Sequence, residues 1–127
     1  MKNKHLLLVL LALVGALAVS PGLARAEIPL IEAGTAQAQG GDTWRFAVTL
    51  SHPDSGWEHY ADGWQVEDAD GNVLGYRQLV HPHVTEQPFT RALGGVAIPA
   101  GTQVVFVRAH CLVDGWGDDL FRVELTR

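Results

Sequence analysis

Cysteine is almost missing from this chain. Cys111 stands alone, so no disulfide can form within the chain and packing must hold the fold. The thiol is buried, metal-bound or paired between two chains. Methionine is confined to Met1, which argues against a Cu(I) thioether site and against a blue-copper centre with axial methionine. Basic residues are also few. From Glu27 onward six arginines face fourteen carboxylates, a net charge of −8 with neutral histidine. Such a surface repels phosphate backbones and anionic lipid, which excludes nucleic acid and membrane-surface partners, and it attracts cations. The sequence has no G-x-S-x-G elbow, phosphate-cradling glycine loop or H-E-x-x-H helix. A Cys111–histidine dyad would need an exposed, activated thiol, and about one hundred residues leave little room for a substrate cleft. These absences point away from an enzyme.

Only one long apolar run occurs. Lys2, Lys4 and His5 lead into LLLVLLALVGALAV, followed by Ser20-Pro21-Gly22 and Ala24-Arg25-Ala26. A charged start, a short apolar run, breakers and an A-x-A site describe an export signal, residues 1–26, cut between Ala26 and Glu27. Nothing later approaches the ~18 apolar residues of a membrane span. No cysteine sits at the cut, so no lipid anchor is expected there. The remainder, residues 27–127, is expected to be one soluble domain in a bacterial periplasm or secreted, without membrane insertion.

The mature sequence reads as all-β, with no clean helical period. Trp44, Phe46, Val48 and Leu50 alternate with Arg45, Ala47 and Thr49, the period of two of a half-buried strand, and Phe121, Val123 and Leu125 repeat it. Between them lie Trp64-Gln65-Val66, the turn signal Asp70-Gly71-Asn72, Val73 to Tyr76, Phe89 to Ile98, the turn Pro99-Ala100-Gly101, and Gln103 to Ala109. An edge strand near Leu30 to Ala38 completes seven. Seven short strands separated by regular turns predict an immunoglobulin-like or fibronectin-like β-sandwich, with Trp64 buried on the third strand.

Strand alternation then brings three loops to one end, and the five histidines of the mature chain fall in or beside them. His81-Pro82-His83 is the best local motif. Residues i and i+2 of an extended chain share a side, ~6–7 Å apart, close enough for two imidazoles to reach one ion. The expected site comprises His59, His81, His83 and His110, holding a copper or zinc ion for carriage, buffering or delivery. His52, before Pro53-Asp54, is expected as an exposed turn residue. Cys111, pointing opposite to His110 in a regular strand, is expected as a small buried residue. Glu58, Asp62, Glu86, Asp114, Asp118 and Asp119 surround these loops, as orienting carboxylates or as solvated surface. Trp57, Tyr60 and Trp116 lie there as well and leave open a second function, binding of a glycan or a periplasmic protein partner.

The stretch HPHVTEQPFTR, with GGVAIPAG and VRAH after it, resembles small exported bacterial proteins of uncharacterised function over roughly His59 to Trp116. The resemblance implies that His81, His83, Glu86, Arg91 and His110 belong to a shared pattern. Aspartate tends to follow RAH in those proteins, so Cys111 is a departure and, on that comparison, a poor candidate for an essential thiol. No activity comes with the resemblance.

Overall fold

Alternation dictates the strands, and the two sheets they form share one apolar core. The computed structural model describes residues 26–127 together with Gly15 and Ala16. Apart from Gly15, Ala16 and Ala26, the expected export signal therefore lies outside the described residues. The strands are β1 (Leu30–Gly40), β2 (Thr43–Ser51), β3 (Ala61–Glu67), β4 (Val73–Gln78), β5 (Phe89–Ala97), β6 (Val104–Cys111), β7 (Gly115–Trp116) and β8 (Phe121–Glu124), with no helix among the described residues. One antiparallel sheet runs β1-β2-β5, and the other runs β4-β3-β6 with β7 and β8 both on the free side of β6. The expected last strand, Phe121 to Leu125, forms as β8, and β7 is an additional two-residue strand ahead of it. After the hairpin at Gly115, whose φ of 80° is glycine's territory, the chain pairs at His110–Trp116, leaves the ladder, and rejoins it at Val107–Phe121.

The inward stripes fill the space between the sheets. Trp44, Phe46, Val48 and Leu50 of β2 and Phe89 of β5 belong to the same buried cluster as Trp64 and Val66 of β3 and Val105, Val107 and Ala109 of β6. Trp64 is fully buried, as its place on the third strand predicts. The β3–β4 hairpin forms where Asp70-Gly71-Asn72 signals it: Asp68 Oδ1 accepts the backbone N–H groups of Asp70 and Asn72 at 2.9 and 2.8 Å, and Gly71 adopts a φ of 83°.

Pairing register fixes which loops meet. Leu50 at the end of β2 faces Phe89 at the start of β5, Ala61 opening β3 faces Cys111 closing β6, and Gly63 faces Gln78 near the end of β4. Three connections, 52–60, 79–88 and 112–114, therefore leave at one end, where Leu79 N–H donates to Asp62 O and Leu112 N–H to Tyr60 O.

A half-buried ion pair crosses β3 and β6. Arg108 Nε and Nη2 donate to the two Glu67 carboxylate oxygens at 2.7 and 3.3 Å, and Gln65 Nε2 adds 2.8 Å. Burial pushes the Glu67 carboxyl up, but the hydrogen bonds from Arg108 and Gln65 and the Arg108 charge outweigh it and hold it below the usual carboxylate range. An acid with a lowered folded value takes its proton first in the unfolded chain. The pair's contribution is therefore complete above about pH 4.3 and lost as pH falls through the lowered value. Urea melts across pH 3–6 should show stability falling towards acid, less steeply in Glu67→Gln. Parallel acid limbs in the two proteins would contradict this assignment.

Candidate metal centre

The inward stripe of β2 does not stop at Leu50. His52 stands in phase with Trp44, Phe46, Val48 and Leu50, and it is buried. This corrects the expectation of an exposed turn residue: period two carries its ring inward even though Pro53 ends the strand. From the facing sheet, the stripe Val105, Val107, Ala109 ends at Cys111, which is also fully buried. The two stripes thus end at the same end of the core, one in an imidazole and the other in a thiol. His59 arrives between them from the β2–β3 loop, its ring edge-on to His52 at 5.0 Å. One potential ligand atom from each of His52, His59 and Cys111 lies within 4.8 Å of the others.

A buried carboxylate organises this end. Asp54 Oδ1 accepts from His52 Nδ1 at 2.6 Å and from Ala61 N–H at 2.9 Å, while Oδ2 accepts from His83 N–H at 2.8 Å. Gln87 stitches the same two loops, accepting His52 N–H at 2.9 Å and donating to His83 O at 3.0 Å. The other His52 nitrogen, Nε2, lies 2.9 Å from the carbonyl oxygen of Glu27. Both ring nitrogens face acceptors, so the ring satisfies both only when each carries a proton. His59 Nε2 is buried without a hydrogen-bond partner, 3.4 Å from Asp114 Oδ2. Cys111 Sγ lies 3.7 Å from the same oxygen.

Of the four expected ligands, only His59 joins this group. His110 and Cys111 are neighbours on β6 and so occupy opposite faces. His110 sits on the outer face, with Nδ1 bonded to Asp62 Oδ1 and its ring edge-on to Trp116 at 4.7 Å. His81 and His83 do bring their rings together, with centroids 4.5 Å apart, but His81 is exposed and its Nδ1 lies 3.0 Å from Pro82 O. His83 is buried, stacked on Phe89 at 3.8 Å, and its Nε2 accepts from Arg91 Nη2 at 2.9 Å. A guanidinium on the ring's lone pair repels a cation. The HPH segment lies outside any strand, so the extended geometry expected of it does not apply. Sequence reasoning missed Asp54, Gln87 and Glu27 as organisers. For His52 the signal was present, since it extends the buried alternation by one step.

Burial pushes His83 below the usual imidazole range, with the Arg91 charge adding to it, and pushes the Cys111 thiol up. The metal-free thiol is therefore protonated and shielded at neutral pH. A disulfide reagent should modify Cys111 only on unfolding; full labelling of the native chain within seconds would contradict its burial. For His83 the unfolded chain takes up the proton first. Its contribution to stability is complete above about pH 6.5 and declines as pH falls from there towards its folded value.

No family model matches the chain, and no solved structure matches it. A protein of Halomicrobium mukohataei named "Putative lipoprotein" is 43% identical over 102 residues, which covers 77% of this chain and 50% of that protein. The chain spans about half the length of this curated relative. Among the described residues no helix is long and apolar enough to cross a membrane.

Proposed function

We propose that this is an exported metal-binding protein that holds a copper or zinc ion at one end of an immunoglobulin-like or fibronectin-like β-sandwich, for carriage, buffering or delivery. The observation that carries the reading is the convergence of His52, His59 and Cys111 ligand atoms within 4.8 Å at the closed end of the core. Two imidazoles and a thiolate suit zinc or copper, and Asp114 supplies a carboxylate for a fourth position. His52 strengthens the case. Its Nε2 faces a carbonyl oxygen, so the position calls for positive charge, either a proton or a metal ion. With an ion there, Nδ1–H stays on Asp54, the orientation that carboxylates impose on ligating histidines. The acidic surface favours cations. The leader sequence and the likeness to a protein named a lipoprotein both support export. The strand order bears on the sandwich type: β4 joins β3 and β6, whereas in constant-type immunoglobulin domains the fourth strand lies with the first, second and fifth, which argues against the constant immunoglobulin alternative.

Elemental analysis of protein purified from the exporting compartment tests the reading, using His59→Ala and Cys111→Ser against the His81→Ala/His83→Ala pair. About one ion per chain, lost in the first two variants and kept in the pair, is expected. Loss only in the pair would move the site to the HPH loop. No metal in the unaltered protein, and no rise in its melting temperature with added Zn(II) or Cu(II), would remove the reading.

A second reading rests on exposed aromatics at the same end. Trp57 is 66% exposed beside Tyr60, and Trp116, 41% exposed, packs edge-on to both Tyr76 and His110. Such faces stack on a sugar ring or anchor a protein partner. Binding of a glycan or protein that Trp57→Ala and Trp116→Ala weaken, in a metal-free protein, would favour it.

A further inference from the structure

The residue expected at the mature N-terminus, Glu27, touches the candidate centre with three of its own groups. Its backbone nitrogen lies 3.1 Å from Asp114 Oδ2, the oxygen that also faces His59 Nε2 at 3.4 Å and Cys111 Sγ at 3.7 Å. Its carbonyl oxygen lies 2.9 Å from His52 Nε2, and its carboxylate Oε2 lies 3.6 Å from His59 Nδ1. The approach is anchored. Pro29 is buried, and Ile28 lies over Gly117 so closely that a Cβ there would collide with its Cγ2. Gly117 is in turn held by its N–H to Ala109 O at 2.9 Å.

We propose that removal of the leader completes the metal site, with the α-amino nitrogen of Glu27 as a ligand and its carbonyl oxygen placed to close a five-membered chelate on the same ion. The proposal rests on the metal reading above and on cleavage at Ala26–Glu27. Hydrolysis adds water across that peptide bond: hydroxyl goes to the Ala26 carbonyl carbon, giving a carboxylate on the leader, and the α-amino group stays on Glu27. Before cleavage this nitrogen is a peptide amide, its lone pair delocalised into the carbonyl of Ala26, and it can only donate its N–H to Asp114. After cleavage it is an amine that binds a cation once it releases its extra proton to solvent. The consequence is regulatory. The unprocessed chain lacks one donor, so it holds the ion more weakly than the processed chain does.

The test compares the processed chain, its first residue read by mass spectrometry, with a variant carrying Ala-Ser inserted after Ala26, so that the processed chain starts two residues earlier. The probe is Zn(II), measured by calorimetry. Affinity is expected to fall by about tenfold or more in the insertion variant, since even indirect partners of a metal site are worth that much. Gly117→Ala, which displaces Ile28, should weaken Zn(II) in the processed chain and weaken the insertion variant no further. A second readout needs no affinity. The lysines are Lys2 and Lys4, so the processed chain has one primary amine, its N-terminus. Zn(II) should protect that amine from acetylation. Equal affinities for the processed and inserted chains, or an amine acetylated equally fast with and without bound Zn(II), would overturn the proposal and leave the metal reading intact provided His59→Ala still abolishes binding. Absence of Zn(II) binding in every form would overturn both. A first residue other than Glu27 would overturn this proposal alone.

Discussion

Trp64→Ala is expected to cost roughly 3–5 kcal/mol of folding stability, as truncations of large core side chains do. Trp64 is fully buried on β3, and it shares the core with Trp44 and with Val107 and Ala109 of the neighbouring strand. Its indole Nε1 has no hydrogen-bond partner. The loss is therefore one of packing, with no broken polar contact added to it. A domain of this size has about 5–15 kcal/mol in total, and each kcal/mol moves its melting temperature by about 4–8 °C. The variant should melt tens of degrees lower or fail to fold. Equilibrium urea unfolding measures the loss, with Trp64→Phe as the milder control. A cost under about 1 kcal/mol would mean that Trp64 is not where the structure has it.

Asp54→Ala is expected to cost a similar amount, roughly 3–5 kcal/mol, for a different reason. The Asp54 side chain is fully buried, and its two oxygens accept from His52 Nδ1, Ala61 N–H and His83 N–H. Removing the carboxylate leaves two buried backbone donors and one imidazole nitrogen without partners, at about 1–3 kcal/mol each before relaxation. Asp54→Asn keeps one acceptor oxygen and the side-chain volume, so it should lose less. On the proposed metal reading, Asp54→Ala also frees His52 to rotate, and metal affinity should drop by about 10–100-fold. If Asp54→Ala melts like the unaltered protein, the 52–60 and 79–88 loops are not held together by this residue.

The strands were largely legible because alternation is local. Trp44 to Leu50, Val73 to Tyr76 and Phe89 to Ile98 carry their own period or turn signals, and β2, β4 and β5 follow them within one or two residues. The short strand β7 was not legible, because its pairing depends on the turn at Gly115 and on which residues of β6 remain free to pair. Convergence of the loops at one end followed from counting strand directions. The membership of the proposed site did not follow. His81-Pro82-His83 looks like a ligand pair in sequence, but whether its lone pairs are free depends on Arg91, eight residues from His83, and on stacking against Phe89. His52 looked like a turn residue because Pro53 follows it.

What the sequence determined by itself is the all-β pattern, the buried tryptophan of β3, the acidic charge and the gathering of histidines in or beside the loops of one end. These follow from period, composition and the reversal of direction at each turn, and none requires knowing which side chains touch. Only the tertiary structure decided that His52 and Cys111 end two facing inward stripes, that Asp54 ties the 52–60 loop to the 79–88 loop, and that Glu27 reaches the candidate centre. The physical reason is that these contacts span the two sheets. Their distances are set by how the sheets pack, a property of the whole core and of no single segment.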